Sequence, residues 1–196
     1  MRFTRFSLQA VSDFKQTAAI IPSSKFLVGA MLESLPIADA QYVVELGPGT
    51  GVFTRQLLNR MPKDSKLLAF EINQKFTDYL HENFLDPRLE ILNVCAGSAG
   101  DALNRRKWSR VDVVVVSLGF GLMSNEKTYE IFDALVPFMD SGSMLSLFQY
   151  VHQMKYTDGR ISRFDVSILL SKYFRHIERK TVWLNLPPAF IFNCRA

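Results

Sequence analysis

Along the chain, apolar positions follow two rhythms that take turns. Short runs rich in Val, Ile, Leu and Phe occur at 42–46, 66–72, 89–94, 111–116 and 144–150. Runs this short and this β-branched predict strands, and 111–116, nearly all Val, predicts a strand buried on both faces. Between them, apolar residues recur at helical spacing, as Phe76, Tyr79, Leu80 and Phe84 do on one face. That spacing predicts helices over 51–60, 73–84, 125–138 and 161–174, with a short one inside 96–103. Another helix is predicted over 25–32, because Ser23 or Ser24 after Pro22 supplies an N-cap. Two last strand-like runs, 176–184 and 189–194, are joined by Asn185-Leu186-Pro187-Pro188.

Strands that alternate with helices imply a parallel sheet with right-handed crossovers. The link between the last two runs is too short for a helical crossover, so they pair antiparallel. The expected architecture is α/β: a mostly parallel seven-stranded sheet, an antiparallel last strand, and helices on both faces. At 196 residues the chain is expected to form a single domain, 1–196. Residues 1–17 are amphipathic, with Phe3, Phe6, Ala10, Val11 and Phe14 near helical spacing and Arg2, Arg5 and Lys15 on other faces. Such a helix can lie in a bilayer interface or pack on the domain core, and the pattern fits both.

Composition narrows the class without naming the function. The chain is 48% hydrophobic with 16 Phe and 21% charged residues, which is a globular and not a disordered balance. A net charge of +4 and a pI near 9.1 fit a weak attraction to anionic lipid or nucleic acid, but ordinary enzymes share them. Cys95 and Cys194 form no Cys-x-x-Cys or Cys/His cluster, so neither a structural zinc nor a disulfide framework is expected. No apolar run reaches the ~18 residues of a membrane span. Arg2 and Arg5 are not followed by a signal-peptide core. The expected location is the cytoplasm, with peripheral attachment to a membrane.

The chemistry concentrates where the first strand ends. Glu45-Leu46-Gly47-Pro48-Gly49-Thr50-Gly51 runs directly into the helical stretch from Val52. Strand, glycine turn and helix form a nucleotide-binding arrangement. Glycines allow positive φ and let a ligand approach the backbone, and Pro48 stiffens the turn. The run is Gly47-x-Gly49-x-Gly51 with Val at 52, unlike the dinucleotide G-x-G-x-x-G, and no Lys follows Gly51 as a triphosphate loop requires. Glu45 repels phosphate and suits a cationic ligand such as S-adenosylmethionine, with its amino group and sulfonium.

A second acid, Glu71, ends the next strand 20 residues past Gly51 and is followed by Ile72. At that spacing a carboxylate meets the ribose hydroxyls of a nucleoside. Glu-x-Gly-x-Gly-x-Gly resembles motif I of the class I methyltransferases. Ala19-Ile20-Ile21-Pro22-Ser23-Ser24-Lys25-Phe26-Leu27, Val44 to Thr54, and Val182-Trp183-Leu184-Asn185-Leu186-Pro187-Pro188-Ala189 resemble the signatures of the bacterial phospholipid N-methyltransferases. That family is related to the ribosomal RNA adenine dimethyltransferases. The resemblance implies S-adenosylmethionine as donor, the headgroup amine of phosphatidylethanolamine or its methylated forms as acceptor, and a membrane-touching N-terminal helix.

Two segments depart from the related patterns. Methyltransferases often carry Gly-Asp-Ala after the third strand, where the Asp meets the adenine amino group; here it is Gly97-Ser98-Ala99. Ser98 still accepts a hydrogen bond but brings no charge. After the fourth strand, the RNA adenine enzymes carry Asn-Leu-Pro-Tyr or a close variant, which orients the amine and stacks on the base. Here it is Ser117-Leu118-Gly119-Phe120, so adenine methylation loses its best handle and nucleic acid is an unlikely partner.

Candidates for acceptor chemistry lie at the carboxyl ends of the fourth and fifth strands, where ligands sit in such sheets. Tyr150, Ser117 and His152 are the catalytic candidates. Gln149, Tyr150 and Asn185 are the candidates for substrate contact. Ser117, like Gly97 and Ser98, also borders the expected cofactor site. Three readings follow: a lipid-amine N-methyltransferase, a methyltransferase of RNA or another small amine, and a cofactor-binding protein without turnover. No metal is expected.

Overall fold

The computed structural model describes residues 24–157 and 160–196. The amphipathic stretch expected over 1–17 lies outside the described residues. The strands are β1 (Tyr42–Leu46), β2 (Lys66–Phe70), β3 (Leu89–Leu92), β4 (Val113–Val116), β5 (Met144–Tyr150), β6 (Met154–Thr157), β7 (Arg160–Arg163), β8 (His176–Val182) and β9 (Ala189–Arg195). The helices among the described residues are α1 (Lys25–Glu33), α2 (Val52–Arg60), α3 (Gln74–Asn83), α4 (Ala99–Arg105), α5 (Asn125–Leu135) and α6 (Ser167–Leu170).

Seven strands form one sheet in the order β3-β2-β1-β4-β5-β9-β8. From β3 through β5 every neighbouring pair is parallel. β9 runs antiparallel to both β5 and β8, so it is the reversed strand of the seven. The expected architecture is therefore the observed one. Its core follows from the strand alternation. Val43, Leu67, Val113, Val115 and Ile191 pack under α1 and α2 on one face. Val44, Leu68, Val114, Leu145 and Leu147 pack under α4, α5 and α6 on the other. All four β4 valines are buried, as a central parallel strand requires. Each such side chain contributes about 1.5–3 kcal/mol by leaving water.

The caps follow local chemistry. Ser24 caps α1 by accepting the Leu27 N–H at 3.2 Å. Asn73 caps α3 through the Lys75 N–H, and Ser124 caps α5 through the Lys127 N–H. The helix expected over 125–138 ends at Leu135, and Pro137 sits in a 3-10 turn that follows.

The helix expected over 161–174 is corrected by the structure. Residues 160–163 form β7, paired antiparallel with β6. The helical part is only α6, followed by turns to Phe174. The cause is local. Asp165 Oδ1 accepts both the N–H and the hydroxyl of Ser167, at 2.9 and 2.6 Å, which delays the helix start. The Phe164 N–H is taken by the Gln153 carbonyl, 3.0 Å away, so the chain there is still extended.

The carboxyl ends of β1, β2, β4 and β5 share one edge of the sheet. Because β9 is reversed, the β8–β9 turn reaches the same edge. Tyr150 pairs with Ala189, and the Val151 N–H donates to the Pro188 carbonyl at 2.9 Å.

Candidate active site

At the end of β1 the glycine corner is held by three residues in the left-handed region: Gly47 (φ 77°), Gly49 (55°) and Gly51 (78°). Each has a different reason to lack a side chain. A Cβ on Gly47 would lie 2.7 Å from Leu118 of the β4 loop, and one on Gly51 would enter the Phe84 ring. A Cβ on Gly49 would meet nothing within 4 Å. The backbone at Gly49 therefore borders open space, with Pro48 and Thr50 on either side. Pro48 also accepts the Gly51 N–H at 2.9 Å, which closes the turn.

Glu45 lies beneath this corner and is fully buried. Thr54, in the first turn of α2, donates its hydroxyl to Glu45 Oε2 at 2.7 Å. Oε1 has no partner among the described residues. Burial pushes the carboxyl up to about 8, against the hydrogen bonds from Thr54. An orphaned carboxylate oxygen under a glycine turn fits a ligand that brings positive charge.

Glu71 stands just past β2 and ties the corner down. Its Oε2 accepts the Gly49 N–H at 3.0 Å and its Oε1 the Asn73 N–H at 2.9 Å. Burial raises its pKa, opposed by the N–H groups of Asn73, Gly49 and Ile72. A carboxylate offers about four acceptor positions, so both oxygens retain capacity for a ligand diol. Ile72 beside it is 72% exposed. Asn93 supports this turn by donating to the Glu71 carbonyl at 2.9 Å, and Thr54 supports Glu45. Sequence reasoning missed both supporting residues. Gly97 and Ser98 lie in a 3-10 turn after β3, where the Ser98 side chain makes no cap and Gly97 packs against Glu130 of α5.

On the acceptor side, Ser117 follows β4 and donates its hydroxyl to the Gly47 carbonyl at 2.9 Å. This fastens the β4 loop to the glycine corner. Tyr150 ends β5, half-buried, with its ring edge-on to Phe148 at 5.5 Å. Burial raises its pKa, so the phenol stays neutral. His152 is exposed in the turn after β5. Gln153 in that turn lies against Gly121 of the β4 loop and was not anticipated. Gln149 points to the other sheet face. Its amide donates to the Phe164 carbonyl (2.6 Å) and accepts the Val166 N–H (2.8 Å), which straps the segment after β7.

Asn185 is buried in the β8–β9 turn, 4% exposed. Its Oδ1 accepts the Ser24 N–H and its amide donates to the Pro187 carbonyl. The structure thus joins Ser24 to Asn185, 161 residues further along the chain. Among the described residues no cluster could hold a metal ion.

The strand order, the reversed β9 and the acid–glycine corner define a class I methyltransferase fold, and the chain is an S-adenosylmethionine-dependent methyltransferase. Residues 16–95 match the family model for ribosomal RNA adenine dimethylase. The chain is 24% identical over 184 residues to an ornithine lipid N-methyltransferase of Singulisphaera acidiphila, across 91% of this chain and 88% of that protein. Among solved structures it is similar to a precorrin-6y C5,15-methyltransferase from Geobacter metallireducens, with TM-score 0.66, 16% identity and 91% of each chain covered. A TehB-like SAM-dependent methyltransferase from Corynebacterium glutamicum aligns with TM-score 0.61, 9% identity and 98% of each chain covered. The RNA family match ends at residue 95, before β4 and the loop that follows it.

Proposed function

We propose that the enzyme methylates the headgroup amine of a phospholipid, with phosphatidylethanolamine or its methylated forms as the acceptor. One observation carries this reading. Phe120, at the position where RNA adenine enzymes place a base-stacking aromatic, is 3% exposed. Its ring packs on Phe132 in the core, 5.6 Å between centroids. It is not available to stack on a flipped base. The edge around the site instead exposes Leu122, Trp183, Leu184 and Leu186. The similarity to an ornithine lipid N-methyltransferase, named for a lipid acceptor, supports the same class.

The corner residues fit the cofactor. Glu71 would hold the ribose diol, the Gly49 backbone would face the bound nucleoside, and Glu45 would balance its positive charge. When bound, S-adenosylmethionine supplies a methyl group activated on sulfur. The chain then has to position an amine and strip its proton. A lipid ethanolamine titrates near the ~10 of a Lys amine, and a half-buried, partly apolar wall lowers that value by disfavouring the cation. Tyr150 offers a neutral hydroxyl and a π-face to the amine. Ser117 keeps the β4 loop against the glycine corner, so donor and acceptor share one mouth. His152, exposed beside it, can pass the released proton to solvent.

The test is direct. Purified protein with labelled donor and phosphatidylethanolamine vesicles should yield mono-, di- or trimethylated lipid by mass spectrometry. Unmodified lipid, alongside labelled RNA, would overturn the proposal.

A further inference from the structure

We infer that the β8–β9 turn is the element that seats this enzyme on an anionic bilayer, so that the headgroup amine arrives beside Tyr150. This inference rests on the lipid-amine reading and names the surface that reading needs. Trp183, Leu184 and Leu186 are 71%, 71% and 83% exposed, all within one six-residue turn that carries no charge. Chains rarely leave three large apolar side chains together in water, and a Trp flanked by Leu suits the boundary between headgroups and acyl chains. The exposure is built in. Asn185, between them, is turned inward and held at both ends, by the Ser24 N–H at 3.2 Å and the Pro187 carbonyl at 2.7 Å. With that side chain fixed inside, its neighbours face out.

The same clamp brings the start of α1 to the turn. Phe26 there is 48% exposed, with the Lys25 ammonium over its ring at 5.5 Å. Arg179 and Lys180 lead into the turn along β8, an edge strand; Glu178 precedes them, and Glu33 of α1 pairs with Lys180 at 3.4 Å. Apolar tips bordered by Lys25 and Arg179, with Lys180 shared with Glu33, match the chemistry of an anionic lipid surface. Location completes the argument. Ala189, just past the turn, pairs with Tyr150, and Pro188 accepts the Val151 N–H. A turn dipped into the interface therefore sets the acceptor mouth at headgroup level.

Trp183 reports on its own position. The other tryptophan, Trp108, is buried against Tyr42 at the opposite edge of the sheet, ring centroids 4.6 Å apart, and serves as an internal reference. The experiment mixes the full chain, without donor, with vesicles of phosphatidylglycerol and phosphatidylethanolamine. Expected are a blue shift of tryptophan emission and quenching by brominated lipid, both lost in Trp183→Ser. The double variant Leu184→Ser/Leu186→Ser should bind these vesicles about tenfold more weakly or worse, with S-adenosylmethionine affinity unchanged. Vesicle binding with no change at Trp183 would overturn the inference and place docking elsewhere. So would emission that is already blue-shifted in buffer and moves red when residues 1–17 are deleted, because the chain would then cover the turn itself. Docking is read without catalysis: Trp183 quenching with no lipid methylated refutes the proposed acceptor alone, whereas lipid methylation without it refutes the docking turn alone.

Discussion

The backbone N–H of Ser24 donates to the side-chain oxygen of Asn185 across 161 residues, at 3.2 Å. That bond fastens the cap of α1 to the turn beside the acceptor mouth. Asn185→Ala leaves that N–H and the Pro187 carbonyl without partners in a nearly closed site. The expected loss is about 1–3 kcal/mol of stability, read from urea denaturation. Asn185→Asp keeps the acceptor for Ser24 and should lose less. Equal losses for the two variants would show that the Ser24 bond contributes nothing.

Glu45 makes the ligand-free protein respond to pH. Its carboxyl titrates near 4.5 in an unfolded chain but near 8 when buried in the fold. Between those values the unfolded chain releases a proton that the folded one keeps. Stability therefore falls as pH rises across that window and is flat below and above it. Glu45→Gln keeps the Thr54 bond and should remove Glu45's share of the slope, leaving the part that Glu71, whose pKa burial also raises, contributes. A cationic cofactor must expel the same proton, so its affinity should climb with pH, by up to about tenfold per unit, and level off above 8. Titration calorimetry from pH 6 to 9 checks the sign.

Gly49 and Gly51 should fail differently. Gly49→Ala meets no atom, so its stability loss is only the left-handed strain of about 1–2 kcal/mol. Its methyl projects into the open side of the corner, and cofactor affinity should drop at least tenfold. Gly51→Ala drives a methyl into Phe84 and Leu80 and should destabilise the fold further. Thermal melts and calorimetry on the pair separate the two losses.

Tyr150→Phe keeps the ring face and loses the hydroxyl, and should lower kcat by about tenfold or less. Tyr150→Ala removes both and should cost about 10²-fold. Donor KM should hold steady in both. A rise in donor KM matching the fall in kcat would move Tyr150 from the acceptor to the cofactor.

How much of this could be read from the sequence depends on how local each cause is. The glycine corner and Glu71 were legible, because a strand, a turn and an acid at fixed spacing are local signals. The mostly parallel seven-stranded sheet with its reversed last strand followed from alternation plus one short final link, whereas the strand order rests on long-range pairing that alternation does not encode. The β6–β7 hairpin was not read, although Asp158-Gly159 between two flanking runs is a strong hairpin signal. The apolar residues from Ile161 to Phe174 imitate helical spacing, and only the Asp165–Ser167 contact shows where the helix begins. Gln149 lies at a strand end, where site residues gather. Its side-chain direction depends on β5 register, which sequence spacing does not reveal. The Ser24–Asn185 bond joins two segments that each read as self-contained caps.

The most direct measurement offers both acceptors at once. Labelled S-adenosylmethionine, the purified enzyme, phosphatidylethanolamine vesicles and ribosomal RNA are combined in one reaction, then partitioned between organic and aqueous phases. Lipid-amine methylation predicts label in the organic phase, on methylated headgroups. Label confined to RNA, with the lipid untouched, would contradict it.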